Sequence, residues 1–64
     1  MKYTRKQLGG YAKANRNWIS ENDSYNLEAF GITKKQYFEI RRIEQETHGF
    51  GGEHITLAEL NKRL

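Results

Sequence analysis

The sequence predicts a small, mainly α domain of three to four helices, with a short two-stranded β-ribbon as its one extended alternative. Three observations carry that prediction. Thr4–Gln7, Thr33–Gln36 and Thr56–Glu59 each have the form Thr-x-x-Gln/Glu. In this capping box the Thr hydroxyl takes the third backbone N–H of a helix, and the Gln or Glu reaches back to the cap. Apolar residues recur at helical spacing after the caps. The chain also has no proline to interrupt a helix. Its 64 residues make one domain spanning 1–64. A domain of this size buries only about 60% of its unfolded surface, and no cysteine is present to staple it.

The first cap opens a helix predicted over about residues 5–21, with Leu8, Tyr11, Ala12, Trp18 and Ile19 along its inner stripe and Asn15 interrupting it. Gly9-Gly10 weakens that helix, because each interior glycine costs about 1 kcal/mol relative to alanine. Two explanations stay open: a close backbone approach, or a true helix start near Tyr11. Glu21-Asn22-Asp23-Ser24 reads as a loop. Ser24 then caps a short helix over about Tyr25–Phe30, which Gly31 stops by tolerating positive φ.

Thr33 opens the central helix, which runs to Thr47 or His48 and ends at Gly49. Phe50-Gly51-Gly52 is a loop, and Thr56 opens a last helix over about 57–63. Tyr3 and Ile55 each precede a capping Thr, as a hydrophobic staple does. Alternatively, residues 1–4 and 53–56 pair as the ribbon.

Charge is distributed in blocks. The net charge is +3 and the pI about 9.4. Lys2, Arg5, Lys6, Lys13 and Arg16 fall in the first sixteen residues, which carry no acid; Glu21, Asp23 and Glu28 follow without a base. Lys34, Lys35, Arg41 and Arg42 then stand against Glu39. Glu44, Glu46, Glu53 and Glu59 come next, and Lys62 and Arg63 close the chain. Either the basic blocks fold together into a patch, or they pair with the acidic ones.

On the central helix, Tyr37, Ile40, Ile43 and Thr47 share one face at 100° per residue and are expected in the core. Lys34, Lys35, Phe38, Arg41 and Arg42 fall opposite. Lys34 and Lys35 sit in the first turn, where the helix dipole disfavours cations. An anionic partner would explain that placement, and so would ordinary solubility. Phe38 is either an exposed contact residue among cations or a ring covered by another helix.

Asn26-Leu27-Glu28-Ala29-Phe30-Gly31-Ile32-Thr33, with Tyr37 and Ile40, resembles a helix-turn-helix DNA-binding segment. Gly31 matches the turn glycine, Ile32 the buried residue after it and Thr33 the cap; Tyr37 and Ile40 match inward positions of the second helix. The likeness covers about 20 residues. Leu27 stands where that family has a small residue, and Asn26 where it has an apolar one. The apolar-Thr-x-x-x-Leu phrases also look like those of MerR- and excisionase-type small winged proteins, and the overall style is similar to a phage or mobile-element protein.

The resemblance implies a DNA-binding regulator with the central helix in the major groove, of a kind that commonly acts as a homodimer. It implies that Thr33, Lys34, Lys35, Phe38 and Arg41 project toward DNA. Thr33 would meet phosphate, Lys34, Lys35 and Arg42 would supply charge to the backbone, and Arg41 would reach a guanine edge. Arg5, Lys6, Lys13 and Arg16 would extend the footprint.

The competing expectation is a small phage-type inhibitor docked on an acidic protein surface, anchored by Phe38, Tyr25, Phe30 or Trp18. A purely structural role in an assembly is the third. No catalytic triad, carboxylate pair or phosphate-binding glycine loop is present, so an enzyme is not expected. His48 and His54 read as loop histidines rather than metal ligands, and no cofactor is implied. No apolar run approaches the roughly 18 residues of a membrane span, and the first residues lack the apolar core of a signal peptide. A cytoplasmic protein without a membrane partner is therefore expected.

Overall fold

A computed structural model describes residues 2–22 and 26–64. Three α-helices and one turn of 3-10 helix make up the regular structure among these residues: α1 (Arg5–Asn15), the turn Glu28–Phe30, α2 (Lys34–His48) and α3 (Leu57–Lys62). The fold is mainly α, as the sequence predicts. No strand occurs among the described residues.

All three capping boxes form. The Thr4, Thr33 and Thr56 hydroxyls accept from the N–H groups of Gln7, Gln36 and Glu59 at 3.2, 3.1 and 3.2 Å. The Gln7, Gln36 and Glu59 side chains accept in return from the cap N–H groups at 2.8, 2.9 and 3.0 Å. Each helix therefore begins where its local hydrogen bonding is complete.

Helix α1 is shorter than predicted. It ends at Asn15 in a 3-10-like tail, where Asn17 N–H bonds Ala14 O and Trp18 N–H bonds Asn15 O. Trp18 then has φ +45°, a left-handed conformation that costs a bulky residue about 1–2 kcal/mol. This reverses the chain so that Ile19 turns inward while Trp18 is 60% exposed. Trp18 and Ala12 therefore leave the inner stripe, and Ala14 joins it, fully buried.

Gly10 answers one question the sequence leaves open. A Cβ there would lie 1.9 Å from the carbonyl oxygen of Phe30, so α1 crosses the 3-10 turn at backbone contact. The glycine pair does not delay the helix start; Gly10 permits this approach, and Gly9 faces open space. The short helix expected over 25–30 is reduced to one turn, and its proposed cap Ser24 and first residue Tyr25 lie outside the described residues. Gly31 closes the turn at φ +79°. Ile32 then enters the core and Thr33 starts α2.

The core contains Tyr3, Tyr11, Ala14, Ile19, Leu27, Ile32, Tyr37, Ile40, Ile43, Ile55 and Leu60. From α2 it takes Tyr37, Ile40 and Ile43, as the helical period requires. Thr47 is half-buried. The expected ribbon is absent among the described residues. Instead Tyr3 is clamped by α3: its N–H donates to Asn61 Oδ1 at 2.8 Å, and its carbonyl accepts from Asn61 Nδ2 at 3.1 Å. One side-chain amide thus satisfies both backbone groups that a neighbouring strand would have satisfied.

Candidate nucleic-acid interface

The residues expected on the outer face of α2 divide into two sets. Two of its cations turn back onto the loop after α1. Lys34 Nζ donates to the Glu21 carbonyl. This intramolecular contact offers an alternative to an anionic partner as the reason for a cation in that first turn. Arg41 donates to the Ile19 carbonyl at 2.8 Å and to the Tyr37 hydroxyl. Its guanidinium carbon lies 4.1 Å from the Trp18 ring centroid, 4.6 Å from Tyr37 and 5.0 Å from Phe38. Arg41 is therefore enclosed by three rings. The sequence reading has it reach a guanine edge; in this conformation its guanidinium is turned onto the loop after α1.

Phe38 is half-buried against the core, edge-on to Tyr37 at 5.0 Å, rather than the centre of an exposed face. Lys35 and Arg42 do face solvent, with Arg42 3.0 Å from Glu46 one turn on. Such an exposed pair contributes only about 0.3–0.5 kcal/mol. Thr33 holds the N-terminus of α2 through its capping box.

On α1, Arg5, Lys6 and Lys13 are exposed, as is Arg16 at its C-cap. Lys6 and Lys13 line a groove with Gly9, Gly10, Glu28, Phe30 and Gly31, which brings them, with one carboxylate, beside the turn that leads into α2. Among the described residues no acid pairs with Arg5, Lys6, Lys13, Arg16 or Lys35.

The carboxylates have other partners. Glu39 accepts from the Tyr3 hydroxyl at 2.7 Å and Glu44 from the Tyr11 hydroxyl at 2.7 Å. Glu44 also accepts from the Ile55 N–H at 2.9 Å, with His54 3.9 Å away. Burial first, and then the bonded carboxylate, push the Tyr3 and Tyr11 hydroxyls above their ordinary titration range. Glu59 caps α3 and meets His48 Nε2 at 3.1 Å. The Thr56 N–H first, and then His48, hold the Glu59 carboxyl below its usual value. His48 is thus the last residue of α2 and bonded to α3, while His54 lies in the exposed connection.

Two residues outside the expected site stand beside it. Trp18 and Phe50, 60% and 83% exposed, both line an open-sided groove of about 640 Å³ over α2, together with Lys35, Phe38, Arg41 and Arg42. Trp18 lies on the apolar stripe only if the helix continues past Asn15. The polar run Asn15-Arg16-Asn17 is the signal that it stops. Phe50 is an isolated ring beside Gly49 and Gly51, with no apolar neighbour at helical or strand spacing.

No helix among the described residues is long and apolar enough to cross a membrane, and no cluster of three metal-ligating side chains occurs among them. Comparisons with protein-family models, curated proteins and solved structures find no match to this chain.

Proposed function

We propose that this domain binds nucleic acid, in the manner of a helix-turn-helix module, with the N-terminal end of α2 directed at duplex DNA and the cations of α1 on flanking phosphates. The observation that carries the reading is the unequal use of charge. Glu39, Glu44 and Glu59 are tied to phenols, backbone N–H groups and a histidine, whereas Arg5, Lys6, Lys13, Arg16 and Lys35 have no acidic partner among the described residues. Those cations are therefore available to an anionic partner on a chain of net charge +3. Gly31 at positive φ, buried Ile32 and capping Thr33 match the turn residues of that resemblance, with a single 3-10 turn before them in place of a full helix. In this reading Thr33 and Lys35 meet the backbone, Lys6 and Lys13 extend the footprint, and Arg41 positions the loop rather than reading a base.

Fluorescence anisotropy with duplex DNA over a salt series tests it. Four or five phosphate contacts give a log–log slope of roughly −4. Lys6→Glu/Lys13→Glu should weaken binding and flatten that slope. No binding at about 50 mM salt, a condition under which even non-specific contacts persist, overturns the reading.

Docking on an acidic protein is the second reading. It is favoured by the exposure of Trp18 and Phe50, because exposed aromatic rings are frequent interface anchors. It predicts no duplex binding at low salt, and a partner lost in Trp18→Ala.

A further inference from the structure

We infer that the groove between Trp18 and Phe50 takes an unpaired nucleobase, so that the domain binds single-stranded or locally opened nucleic acid in addition to duplex. The inference rests on the nucleic-acid reading and deepens it.

The floor of the groove is unusual in composition. Arg41 lies under the Trp18 ring at 4.1 Å, and its hydrogen-bond acceptors are neutral: the Ile19 carbonyl and the Tyr37 hydroxyl. Its Nε is buried without a partner. Among the described residues no carboxylate pairs with it, so its full positive charge stays beneath the ring. Trp18 remains 60% exposed with one face on that guanidinium, which leaves the opposite face open. The left-handed backbone at Trp18, φ +45°, holds the indole there. Strained backbone of this kind is kept where the surroundings over-determine it.

The chemistry of the lining favours a base over a protein side chain. The groove has aromatic faces in Trp18, Phe38 and Phe50, and cations in Lys35, Arg41 and Arg42, but no aliphatic residue. A protein anchor is usually held in a well-packed, fully desolvated pocket. A nucleobase needs a π-face, and its phosphate needs a cation nearby. Of the two acids on the rim, Glu39 is turned onto the Tyr3 hydroxyl, leaving Glu21 as the single carboxylate not bonded to the core. The groove is open-sided, so a polymer can pass along it.

Trp18 is the only tryptophan, so its fluorescence reports this site directly. A mixed-sequence single strand of about 12 nucleotides, within the range of single-strand sites, should quench it at low salt. Inorganic polyphosphate, which carries the charge without bases, should not. Phe50→Ala alters a ring that is 83% exposed and leaves the reporter in place. It should weaken single-strand affinity about tenfold, the scale of one lost stacking contact, while duplex anisotropy stays unchanged. Equal quenching by polyphosphate overturns the inference, as does unchanged single-strand affinity in Phe50→Ala. Tighter quenching by an acidic Phe-bearing peptide than by the oligonucleotide assigns the groove to protein and also overturns it. Duplex binding with no quenching by the single strand removes this inference and leaves the proposed function standing; absence of both removes both.

Discussion

Helix α2 is held on its two flanks by opposite chemistry. On one flank, Tyr3 and Tyr11 donate to Glu39 and Glu44 at 2.7 Å each. Neutral phenols donate to half-buried carboxylates there, which keep their negative charge. On the other flank, Arg41 is held by a carbonyl, a hydroxyl and three rings. Here the charge is positive and its hydrogen-bond partners are neutral; no carboxylate pairs with it among the described residues. The contrast shows how a chain with eight acids and eleven bases can leave cations available to an anionic partner. Glu39, Glu44 and Glu59 serve as hydrogen-bond acceptors in packing and capping, while Arg5, Lys6, Lys13, Arg16 and Lys35 stay exposed and Arg41 stacks against aromatic rings.

The largest expected effect breaks the tyrosine flank alone. Both phenols titrate above their ordinary value in the folded domain, so the folded state keeps protons that the unfolded chain loses. Their contribution is complete below about pH 10 and declines as pH rises beyond it. Both tyrosines act in the same direction, in a domain with little stability to spare. Far-UV circular dichroism should show cooperative alkaline unfolding between about pH 11 and 12. Tyr3→Phe/Tyr11→Phe should be less stable at pH 8 yet much flatter across this range. Arg41→Met should keep the wild-type slope, because guanidinium does not titrate there. An equally steep decline in the double Phe variant would show that the tyrosines are not responsible.

A smaller effect tests how Tyr11 reaches Glu44. Gly10 lets α1 press on the Phe30 carbonyl, and Tyr11 is the next residue. Gly10→Ala puts a methyl at 1.9 Å from backbone oxygen that cannot yield by rotating a side chain. It should cost about 1–3 kcal/mol in urea denaturation, the usual range for overpacking. Gly9→Ala meets nothing within 4 Å and should stabilise by up to about 1 kcal/mol through helix propensity. If Gly10→Ala also stabilises, the close crossing of α1 over the turn is wrong, and the geometry of the tyrosine flank with it.

These flanks were unequally legible in the sequence. The helix starts could be read, because a capping box is local and Thr4, Thr33 and Thr56 need only a partner three residues on. The inward residues Tyr37, Ile40 and Ile43 followed from the helical period. The arginine flank could not be read that way. A helical wheel gives the direction of a Cα–Cβ bond, but Lys34 and Arg41 are long enough to fold back across the surface to carbonyls of the preceding loop. The wheel also ran α1 through Trp18, because residues 11 and 18 are in phase if the helix continues; the left-handed turn there removes that premise. Pairing of Tyr and Glu over 33 or 36 residues has no local signature at all. Whether the basic blocks meet acids depended on it: once Glu39 and Glu44 take phenols, they are not available to α1.

The smallest effect sharpens the arginine flank, where two terms nearly cancel. Trp18→Gly removes a left-handed strain of about 1–2 kcal/mol. It also removes the indole over Arg41, worth about 0.5–2 kcal/mol depending on how desolvated the contact is. Its stability should therefore stay within about 1 kcal/mol of wild type, a net change consistent with those two ranges. Trp18→Ala loses the same ring without gaining glycine's freedom, and should be the less stable of the two. The order of the pair is the informative result. If Ala equals Gly, the backbone at position 18 relaxes freely and the ring is not held in place by strain. If both lose more than about 2 kcal/mol, the indole is packed more deeply than its exposure indicates, and the cation beneath it depends on that burial rather than on an open π-face.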